Sequence, residues 1–348
     1  MKLGDNSISH ARGLLDTLKI LGGDPVTLAK QFSLSEAKLS QPEGRISIPR
    51  FMRLGHGAIE QIQRADLGLE MGKRVKVGFL GLVGFLAMTA KDIEAACKVM
   101  AHYERLSGTN SRGHSSFYQE DNLGVASFYS ISPYNEFNYF VVDSVLSSQF
   151  KILEWLSGRS GLLKQVEIEF EAPPYASAYE ECFQCPVLFG QKRNALIIKE
   201  EALNWPLIQH DKNAFLNLKN ICDERLAQVT RNRTLHEKVM DEISPLLEGQ
   251  TPSIDEVADS LGMPPWTLRR KLQEQNTNFQ TLLNETRKSL AESYMKDTHL
   301  AIGEIAYLLG FSSPTAFQRA FKRWTDQSPG KYREEILKAK QNINRQDT

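Results

Sequence analysis

The spacing of hydrophobic residues in the first part of the chain is that of amphipathic helices. In residues 9–22 the leucines share one helical face, and the pair Gly22-Gly23 ends the segment. The same period recurs in three further segments, 25–32, 48–64 and 91–106. We therefore predict that the chain begins with four helices.

Beyond residue 114 the pattern changes to one that is typical of β-strands. Residues 115–120 and 123–131 flank Asp121-Asn122 and are rich in Phe, Tyr, Val and Ser, which predicts a β-hairpin. Three further elements are predicted: a helix at 138–157 and strands at 164–170 and 187–199. The helix draws its apolar surface from Val141, Val145, Phe150, Leu153 and Trp155. Helices and strands together predict an α+β fold for the first domain.

Three glycines, Gly78, Gly81 and Gly84, are spaced three residues apart in the most apolar stretch of the chain. On one edge of a helix, such small residues let another backbone approach closely, so we predict a tightly packed, buried segment. A phosphate-binding glycine loop would need a preceding strand and a Lys-Ser or Lys-Thr ending, and this stretch has neither. The stretch is also too short to cross a membrane, which takes about 20 apolar residues.

From residue 212 onward every hydrophobic pattern is helical, which predicts a second, all-α domain. Residues 213–230 predict a connecting helix whose apolar side consists of Phe215, Leu218, Ile221, Cys222 and Leu226. The predicted order is 1–212 for the first domain, 213–234 for the connecting helix and linker, 235–338 for the second domain, and 339–348 for a flexible polar tail.

Residues 253–272 have the pattern of a helix-turn-helix motif. Ser253 and Glu256 predict a capping box at the start of its first helix. Gly262, four residues after Ala258, suits a turn position with positive φ. The second helix opens at Pro264-Pro265, where prolines are tolerated.

In that second helix Leu268 and Leu272 face inward, and the outer face is left to Trp266, Arg269 and Arg270. This outer face is the one that would enter a DNA major groove.

Residues 301–324 repeat the motif. Gly310 falls 48 residues after Gly262, whereas Phe317 falls 49 residues after Leu268, so the second turn carries one extra residue. The outer face of the second helix presents Thr315, Gln318 and Arg319. Gln can pair with adenine and Arg with guanine, each through two hydrogen bonds.

Between the two motifs, residues 279–296 predict a helix of about 27 Å. Its apolar stripe consists of Phe279, Leu282, Leu283, Thr286 and Leu290. Such a helix would hold the two second helices about one DNA turn (~34 Å) apart on one face of the duplex. Two motifs with matching cores, turns and basic outer faces favour DNA binding over a helical bundle with a chance Ala-x-x-x-Gly spacing.

The overall charge does not indicate a nucleic-acid partner, because 42 Lys and Arg balance 42 Asp and Glu. Positive charge is local: Arg269, Arg270 and Lys271 are adjacent, and residues 319–333 hold basic residues against the single acid Asp326. Such clusters are usually solvated faces and matter only where the fold directs them at phosphates. The first residues lack the apolar core of a signal peptide, so we expect a cytoplasmic protein.

Residues 302–324, followed by Ser328-Pro-Gly-Lys-Tyr-Arg333, closely resemble the signature of the AraC/XylS family of transcription regulators. In that family both second helices insert into successive major grooves. The resemblance implies base or backbone contacts from six residues: Trp266, Arg269, Arg270, Thr315, Gln318 and Arg319. It also implies phosphate contacts from Lys322 and Lys331.

The chain departs from the family at Ala301, where a Ser or Thr is usual. The missing hydroxyl cap typically costs ~1 kcal/mol, and a backbone contact from this side chain is in doubt.

Segments 77–86, 91–106 and 183–190 are similar to the arabinose-binding-type sensor domain of the same family. The resemblance implies an effector-sensing and dimerisation domain without identifying the effector or the residues that bind it. It implies a homodimer that binds double-stranded promoter or operator DNA, with an affinity that changes when a small-molecule effector binds. RNA polymerase is the further partner that it implies. We expect no enzymatic activity, cofactor, metal site or membrane contact.

Cys182 and Cys185 have the C-x-x-C spacing of redox pairs, which leaves a redox-sensing regulator as an alternative. Low-pKa thiolates usually lie at helix N-termini, whereas Cys185 precedes Pro186 and a predicted strand. A structural zinc site would need two more ligands, and the sequence has no second pair. Packing is the simpler interpretation.

A second alternative is a DNA-repair enzyme that carries the same DNA-binding module. Repair methyltransferases of this kind hold a metal ion with a cluster of cysteines in the first domain. The four cysteines of this chain are scattered along the sequence and do not form such a cluster. The seven histidines show neither metal-ligand nor catalytic-triad spacing. The favoured hypothesis is therefore a regulator with an α+β sensor domain followed by an all-α DNA-binding domain.

Overall fold

The computed structural model describes residues 4–41, 44–110, 113–130, 136–231, 234–247, 249–297 and 300–336. They fall into two compact units. The N-terminal unit comprises the described residues up to 231, and the C-terminal unit comprises those from 234. Over these ranges, no helix combines the length and the apolar character needed to cross a membrane. The tail predicted at 339–348 lies outside the described residues.

The N-terminal unit contains both helices and strands, which confirms the predicted α+β class. Its helices are α1 (Ile8–Ile20), α2 (Pro25–Gln31), α3 (Glu36–Leu39), α4 (Ile48–Ile62), α5 (Leu67–Lys73), α6 (Leu82–Met88), α7 (Ile93–His102), α8 (Glu104–Ser107), α9 (Glu136–Ser157), α10 (Ser177–Phe183), α11 (Glu200–Leu203) and α12 (Lys212–Arg231). Its strands are β1 (Gly4–Ser7), β2 (Arg45–Ser47), β3 (Gly108–Asn110), β4 (Gly113–Glu120), β5 (Leu123–Ser130), β6 (Leu163–Glu167), β7 (Val187–Leu188) and β8 (Ala195–Ile198).

The larger of two sheets has the strand order β4-β5-β8-β6-β7. Its pairs are antiparallel except β6 with β7, which run parallel. The predicted hairpin is confirmed as β4–β5, and both turn residues, Asp121 and Asn122, have positive φ, as a two-residue hairpin turn requires. The smaller sheet, β2-β1-β3, is made of strands too short for the sequence pattern to indicate.

Helix α9 supplies much of the core of the N-terminal unit. Phe150 and Leu153 are buried with Leu146 among residues of the larger sheet and of α7. Trp155, predicted to contribute to the apolar surface of this helix, is instead 56% exposed, so that expectation was wrong.

Two predicted elements are interrupted by glycines in the left-handed region. Residues 187–199 form two strands rather than one, because the chain turns at Gly190 with φ +65°. The three-glycine segment is not one helix edge: a 3-10 turn, Val77–Leu80, stops at Gly81 with φ +56°, and α6 follows. Only Gly84 makes the predicted close approach, since a Cβ there would lie 2.1 Å from the Val77 carbonyl oxygen.

The predicted connecting helix is α12, and it packs on the N-terminal unit. Cys222 is fully buried in the core of that unit. The Tyr103 hydroxyl donates to Asp223 Oδ1 at 2.5 Å, and the backbone N–H of Asp211, just before the helix, donates to the Thr89 carbonyl oxygen. Ile221, predicted on the buried side, is exposed.

Strand β4 forms one edge of the larger sheet, and an acidic side chain covers part of that edge. The backbone N–H of Ser115 donates to both carboxylate oxygens of Glu104, at 2.9 and 3.0 Å. Burial raises the pKa of Glu104 above its ordinary value. The carboxylate thus occupies a position at which another strand would otherwise pair.

A buried polar cluster lies where α5 crosses α9. Asp143, which is fully buried, accepts hydrogen bonds from the hydroxyls of Tyr175 and Tyr179. The two helices approach very closely, since a Cβ on Gly68 would lie 2.7 Å from Asp143 Cβ and one on Gly72 1.8 Å from a buried serine hydroxyl. Burial raises the pKa of Asp143 to about 7, although the two tyrosine donors act in the opposite direction.

The C-terminal unit is helical throughout its described residues, as predicted. Its helices are α13 (Leu235–Ile243), α14 (Ile254–Ser260), α15 (Pro265–Glu274), α16 (Phe279–Asp297), α17 (Ile302–Leu308) and α18 (Pro314–Thr325), with a 3-10 turn at Ser244–Leu247. Helix α16 is the one predicted between the two helix-turn-helix motifs.

The raised pKa of Asp143 predicts a pH dependence of stability. The folded chain keeps this proton up to about pH 7, whereas the unfolded chain releases it near 3.8. Between these values the free energy of unfolding therefore falls with rising pH, by up to about 1.4 kcal/mol per pH unit from this group. Asp143→Asn cannot titrate, so we expect its stability relative to wild type to improve from about pH 5 to about pH 7.

Denaturant unfolding of both proteins across that range measures this difference. Tyr179→Phe is the matched control, because removing one donor should raise the pKa of Asp143 further and shift the window upward. A difference between Asp143→Asn and wild type that is the same at every pH would contradict the prediction.

Candidate nucleic-acid interface

The first helix-turn-helix motif begins at the predicted capping box. Ser253 Oγ accepts from the backbone N–H of Glu256 at 3.2 Å, and the Glu256 carboxylate accepts from the backbone N–H of Ser253 at 2.7 Å. Ala258 is fully buried, and Gly262 has φ +63°. The turn closes when the backbone N–H of Met263 donates to the Ala258 carbonyl oxygen at 3.0 Å. These features confirm the local structure predicted for this motif.

Helix α15 follows this turn and has one buried and one exposed side. Leu268 and Leu272 are buried, as predicted. Trp266 is 64% exposed, and Arg269 and Arg270 are exposed on the same helix. An indole and two guanidinium groups thus face solvent together, a combination suited to base methyl groups, base edges and phosphates.

The second motif opens with a weaker cap, as Ala301 predicts. The Glu304 carboxylate still accepts from the backbone N–H of Ala301, but the reciprocal side-chain bond is missing. The turn matches that of the first motif, with the backbone N–H of Phe311 donating to the Ala306 carbonyl oxygen at 3.0 Å. Gly310 has φ +64°, and a Cβ there would lie 2.0 Å from the Gln250 carbonyl oxygen, so both backbone angle and space require glycine.

Helix α18 has a side-chain cap that α15 lacks, because Ser313 occupies the N-cap position that Pro264 holds in the first motif. Pro264 precedes α15 without a side-chain hydrogen bond, whereas Ser313 Oγ accepts from the backbone N–H of Ala316 at 3.2 Å. Phe317 and Phe321 are fully buried below α18. The opposite side carries exposed side chains, which are Thr315, Gln318, Arg319, Lys322 and Arg323.

All eight residues predicted to contact DNA are exposed. The eighth, Lys331, lies beyond α18 with its Nζ 3.9 Å from Glu335 Oε1. Exposure is necessary for a DNA contact but does not test one, so the eight assignments stay predictions.

Helix α16 joins the two motifs over 19 residues, or about 28 Å. Asn278 Oδ1 caps its start by accepting from the backbone N–H of Thr281 at 2.9 Å. Most of the predicted stripe is buried, namely Leu282, Leu283, Thr286 and Leu290, while Phe279 is half-buried.

A buried arginine on α16 is the residue that the sequence analysis missed. Arg287 Nε donates to the Leu309 carbonyl oxygen, and Nη2 donates to the Gly310 carbonyl oxygen and to Thr251 Oγ1, each at 2.8 Å. Its guanidinium also lies over the Phe311 ring, 4.7 Å from the centroid. The sequence does contain one indication of this burial: Arg287 lies four residues after Leu283 and three before Leu290, within the apolar stripe of α16.

The cysteines do not have the environment of a thiolate sensor. All four are free. Cys182 lies at the end of α10 and is buried, Cys185 is half-buried, and burial raises their pKa values to about 12 and about 11. Both remain thiols at neutral pH, so their environment does not favour the redox alternative. Within the described ranges no group of His, Cys, Asp and Glu side chains could hold a metal ion.

Comparison with known protein families gives two matches that together cover most of the chain. Residues 22–207 match the arabinose-binding domain of AraC transcription regulators, and residues 229–335 match a helix-turn-helix domain. The second match contains both motifs described above.

Individual relatives match over nearly the whole chain. An ornithine utilization regulator of Pseudomonas aeruginosa is 27% identical and is covered to 96%, with 94% of this chain included. The HTH-type transcriptional regulator VirS of Mycobacterium tuberculosis is 23% identical, with 92% of this chain and 94% of that protein covered. The solved structure of the transcriptional regulator CdpR from Pseudomonas aeruginosa is 19% identical, with a TM-score of 0.48 and coverage of 94% of this chain and 98% of that one.

Removal of the buried guanidinium tests its part in the C-terminal unit. Arg287→Met keeps the length of the side chain but leaves the carbonyl oxygens of Leu309 and Gly310 without their donor. We expect the free energy of unfolding of this unit to fall by about 2–4 kcal/mol. In hydrogen–deuterium exchange of the full chain, amides of α17 and of the turn after it should exchange faster, while those of the N-terminal unit stay unchanged.

Thr251→Val is the control, because it removes only the hydroxyl at this site, and its cost should be about 1 kcal/mol. Equal exchange in wild type and Arg287→Met would contradict the assignment.

Proposed function

Since the chain belongs to the AraC family of transcription regulators, we propose that it binds promoter or operator DNA by placing α15 and α18 in successive major grooves. Trp266, Arg269 and Arg270 then contact one groove, and Thr315, Gln318 and Arg319 contact the next. Lys322 and Lys331 contact phosphates. The observation that carries the proposal is the repeated arrangement of the two motifs, each with a buried apolar side and an exposed polar side on its second helix.

The length of α16 supports simultaneous insertion of both helices. Helix α16 is about 28 Å long, and the side chains at its two ends extend this length toward the ~34 Å pitch of one DNA turn. Two contacted segments of a single target would then be separated by about 10 base pairs on one face of the duplex. The two DNA segments that one chain contacts should differ in sequence, because the two motifs present different side chains.

The remaining assignments concern the N-terminal domain. We propose that residues 1–212 bind a small effector and form a homodimer, that 213–234 connect them to the DNA-binding domain at 235–338, and that the complex acts on RNA polymerase in the cytoplasm. A thermal-shift screen of metabolites on the full chain tests effector binding, since a ligand that binds only the folded state raises the melting temperature. Ornithine is a sensible first probe, because one relative is named for its utilisation.

Selection of binding sequences from random double-stranded DNA, followed by affinity measurement, tests the base contact of Arg319. Arg319→Ala should weaken binding to the selected sequence by about 1–3 kcal/mol, because a bidentate contact to guanine is lost. Binding to scrambled DNA should change much less. Fluorescence anisotropy with labelled duplexes measures both. Identical affinities of variant and wild type on both duplexes would refute the assignment.

Lys322 is expected to behave differently, because phosphates carry no sequence information. Lys322→Ala should weaken binding to selected and scrambled DNA by similar factors. It should also reduce the slope of log affinity against log salt concentration by about 0.9. Lys238→Ala is the matched control, since this exposed lysine lies on α13, outside both motifs. If Lys322→Ala leaves the slope of log affinity against log salt concentration at its wild-type value, Lys322 does not contact a phosphate.

A further inference from the structure

Three polar side chains meet at the outer strand β4 of the larger sheet. The Glu104 carboxylate accepts from the backbone N–H of Ser115 through both oxygens, at 2.9 and 3.0 Å. Gln149, on α9, donates from Nε2 to Ser115 Oγ at 3.2 Å. One serine therefore holds a carboxylate from α8 and a carboxamide from α9 close to each other.

This group has more hydrogen-bond acceptors than donors. A carboxylate offers about four lone-pair positions, and the donors of Ser115 do not use all of them. Gln149 Oε1 is buried and has no donor among the described residues. A buried acceptor without a donor is unfavourable, so the group is suited to a molecule that brings N–H donors.

The charge of Glu104 favours a cationic molecule over a neutral one. Burial raises the pKa of Glu104, while hydrogen bonds from Ser115 and the charge of Arg105 act in the opposite direction. A positive charge beside the carboxylate would replace the solvation that burial removes. Glu104, Ser115 and Gln149 are each only half-buried, which leaves the carboxylate a route to solvent. A primary ammonium group combines this charge with three N–H donors on one nitrogen.

The group also adjoins the contact that holds α12. Glu104 directly follows Tyr103, whose hydroxyl donates to Asp223 Oδ1 on α12 at 2.5 Å. Cys222, the neighbour of Asp223, is fully buried in the core of the same unit. Because α12 is the last element of the N-terminal unit, a ligand at Glu104 would act beside the segment that continues into the DNA-binding domain.

We propose that Glu104 and Gln149 bind the primary ammonium group of a small organic effector. Glu104 supplies the opposite charge, and the Gln149 carboxamide turns so that Oε1 accepts a further N–H of the ligand. Ser115 positions both side chains. The inference rests on the proposed function, namely that the N-terminal domain binds an effector, and it names the chemical class of that effector.

Isothermal titration of the full chain tests this inference. The probes are ornithine and putrescine, which carry primary ammonium groups, and butanediol, the neutral counterpart of putrescine. We expect at least one amine to bind and the diol not to bind. Glu104→Gln should weaken amine binding about tenfold or more, because a charge-assisted hydrogen bond is lost.

Glu94→Gln is the matched control. Glu94 also contacts β4, where its carboxylate accepts from Gln119 Nε2 at 3.0 Å, but it already pairs with Lys98 Nζ at 2.6 Å. The variant removes the same charge from the same region and should bind amines like wild type. Gln149→Leu removes the carboxamide at similar size and should weaken binding about three- to tenfold.

Hydrogen–deuterium exchange locates the bound amine. Amides of α8 should exchange more slowly in the complex of the wild type, but not when amine is added to Glu104→Gln. Circular dichroism checks that each variant is folded, and Gln149→Leu carries the test if Glu104→Gln is not.

The inference is overturned if neither amine binds, if the diol binds as tightly as putrescine, or if Glu104→Gln and Glu94→Gln weaken binding equally. A metabolite screen in which no compound raises the melting temperature would instead count against effector binding itself.

Discussion

The C-terminal unit depends on one buried positive charge. The carbonyl groups at the C-terminal end of a helix need partners from outside that helix, and just after α17 the carbonyl oxygens of Leu309 and Gly310 accept hydrogen bonds from the guanidinium of Arg287. The same group reaches Thr251, just before α14. One side chain on α16 therefore touches the turn that leads into α18 and the segment that leads into the first motif. The geometry of the proposed interface follows from this arrangement, because the outer faces of α15 and α18 can only be presented together if both motifs are fixed to α16.

Sequence patterns were sufficient where local chemistry decides the structure. The capping box at Ser253, the turn glycines Gly262 and Gly310, and the alternation of buried and exposed positions on α15 and α18 all involve residues within a few positions of one another. The hairpin at Asp121-Asn122 is of the same kind. Such features are governed by backbone geometry and helical or strand period, which a single sequence displays directly.

The parts that escaped prediction depend on contacts between distant segments. An arginine is ordinarily exposed to solvent, and the burial of Arg287 is explained by partners far along the chain, above all the carbonyl groups 22 and 23 residues later. Strands β1, β2 and β3 are three or four residues long and are defined by their pairing rather than by any pattern of their own. The spacing of Trp155 predicts a place on the apolar surface of α9, yet Trp155 is exposed while the next residue, Leu156, is buried. Gly81 and Gly190 stand plainly in the sequence, but the sequence does not show that they adopt the positive φ values that break the predicted elements.

The carboxylate of Glu104 has a consequence for the behaviour of the protein in concentrated solution. An uncovered outer strand is a template on which identical molecules can add in register and build filaments. Here the amide hydrogen of Ser115 is already engaged by a charge-bearing group from the same molecule. An incoming strand would have to displace that group before it could pair at Ser115, so the carboxylate disfavours strand addition at this position.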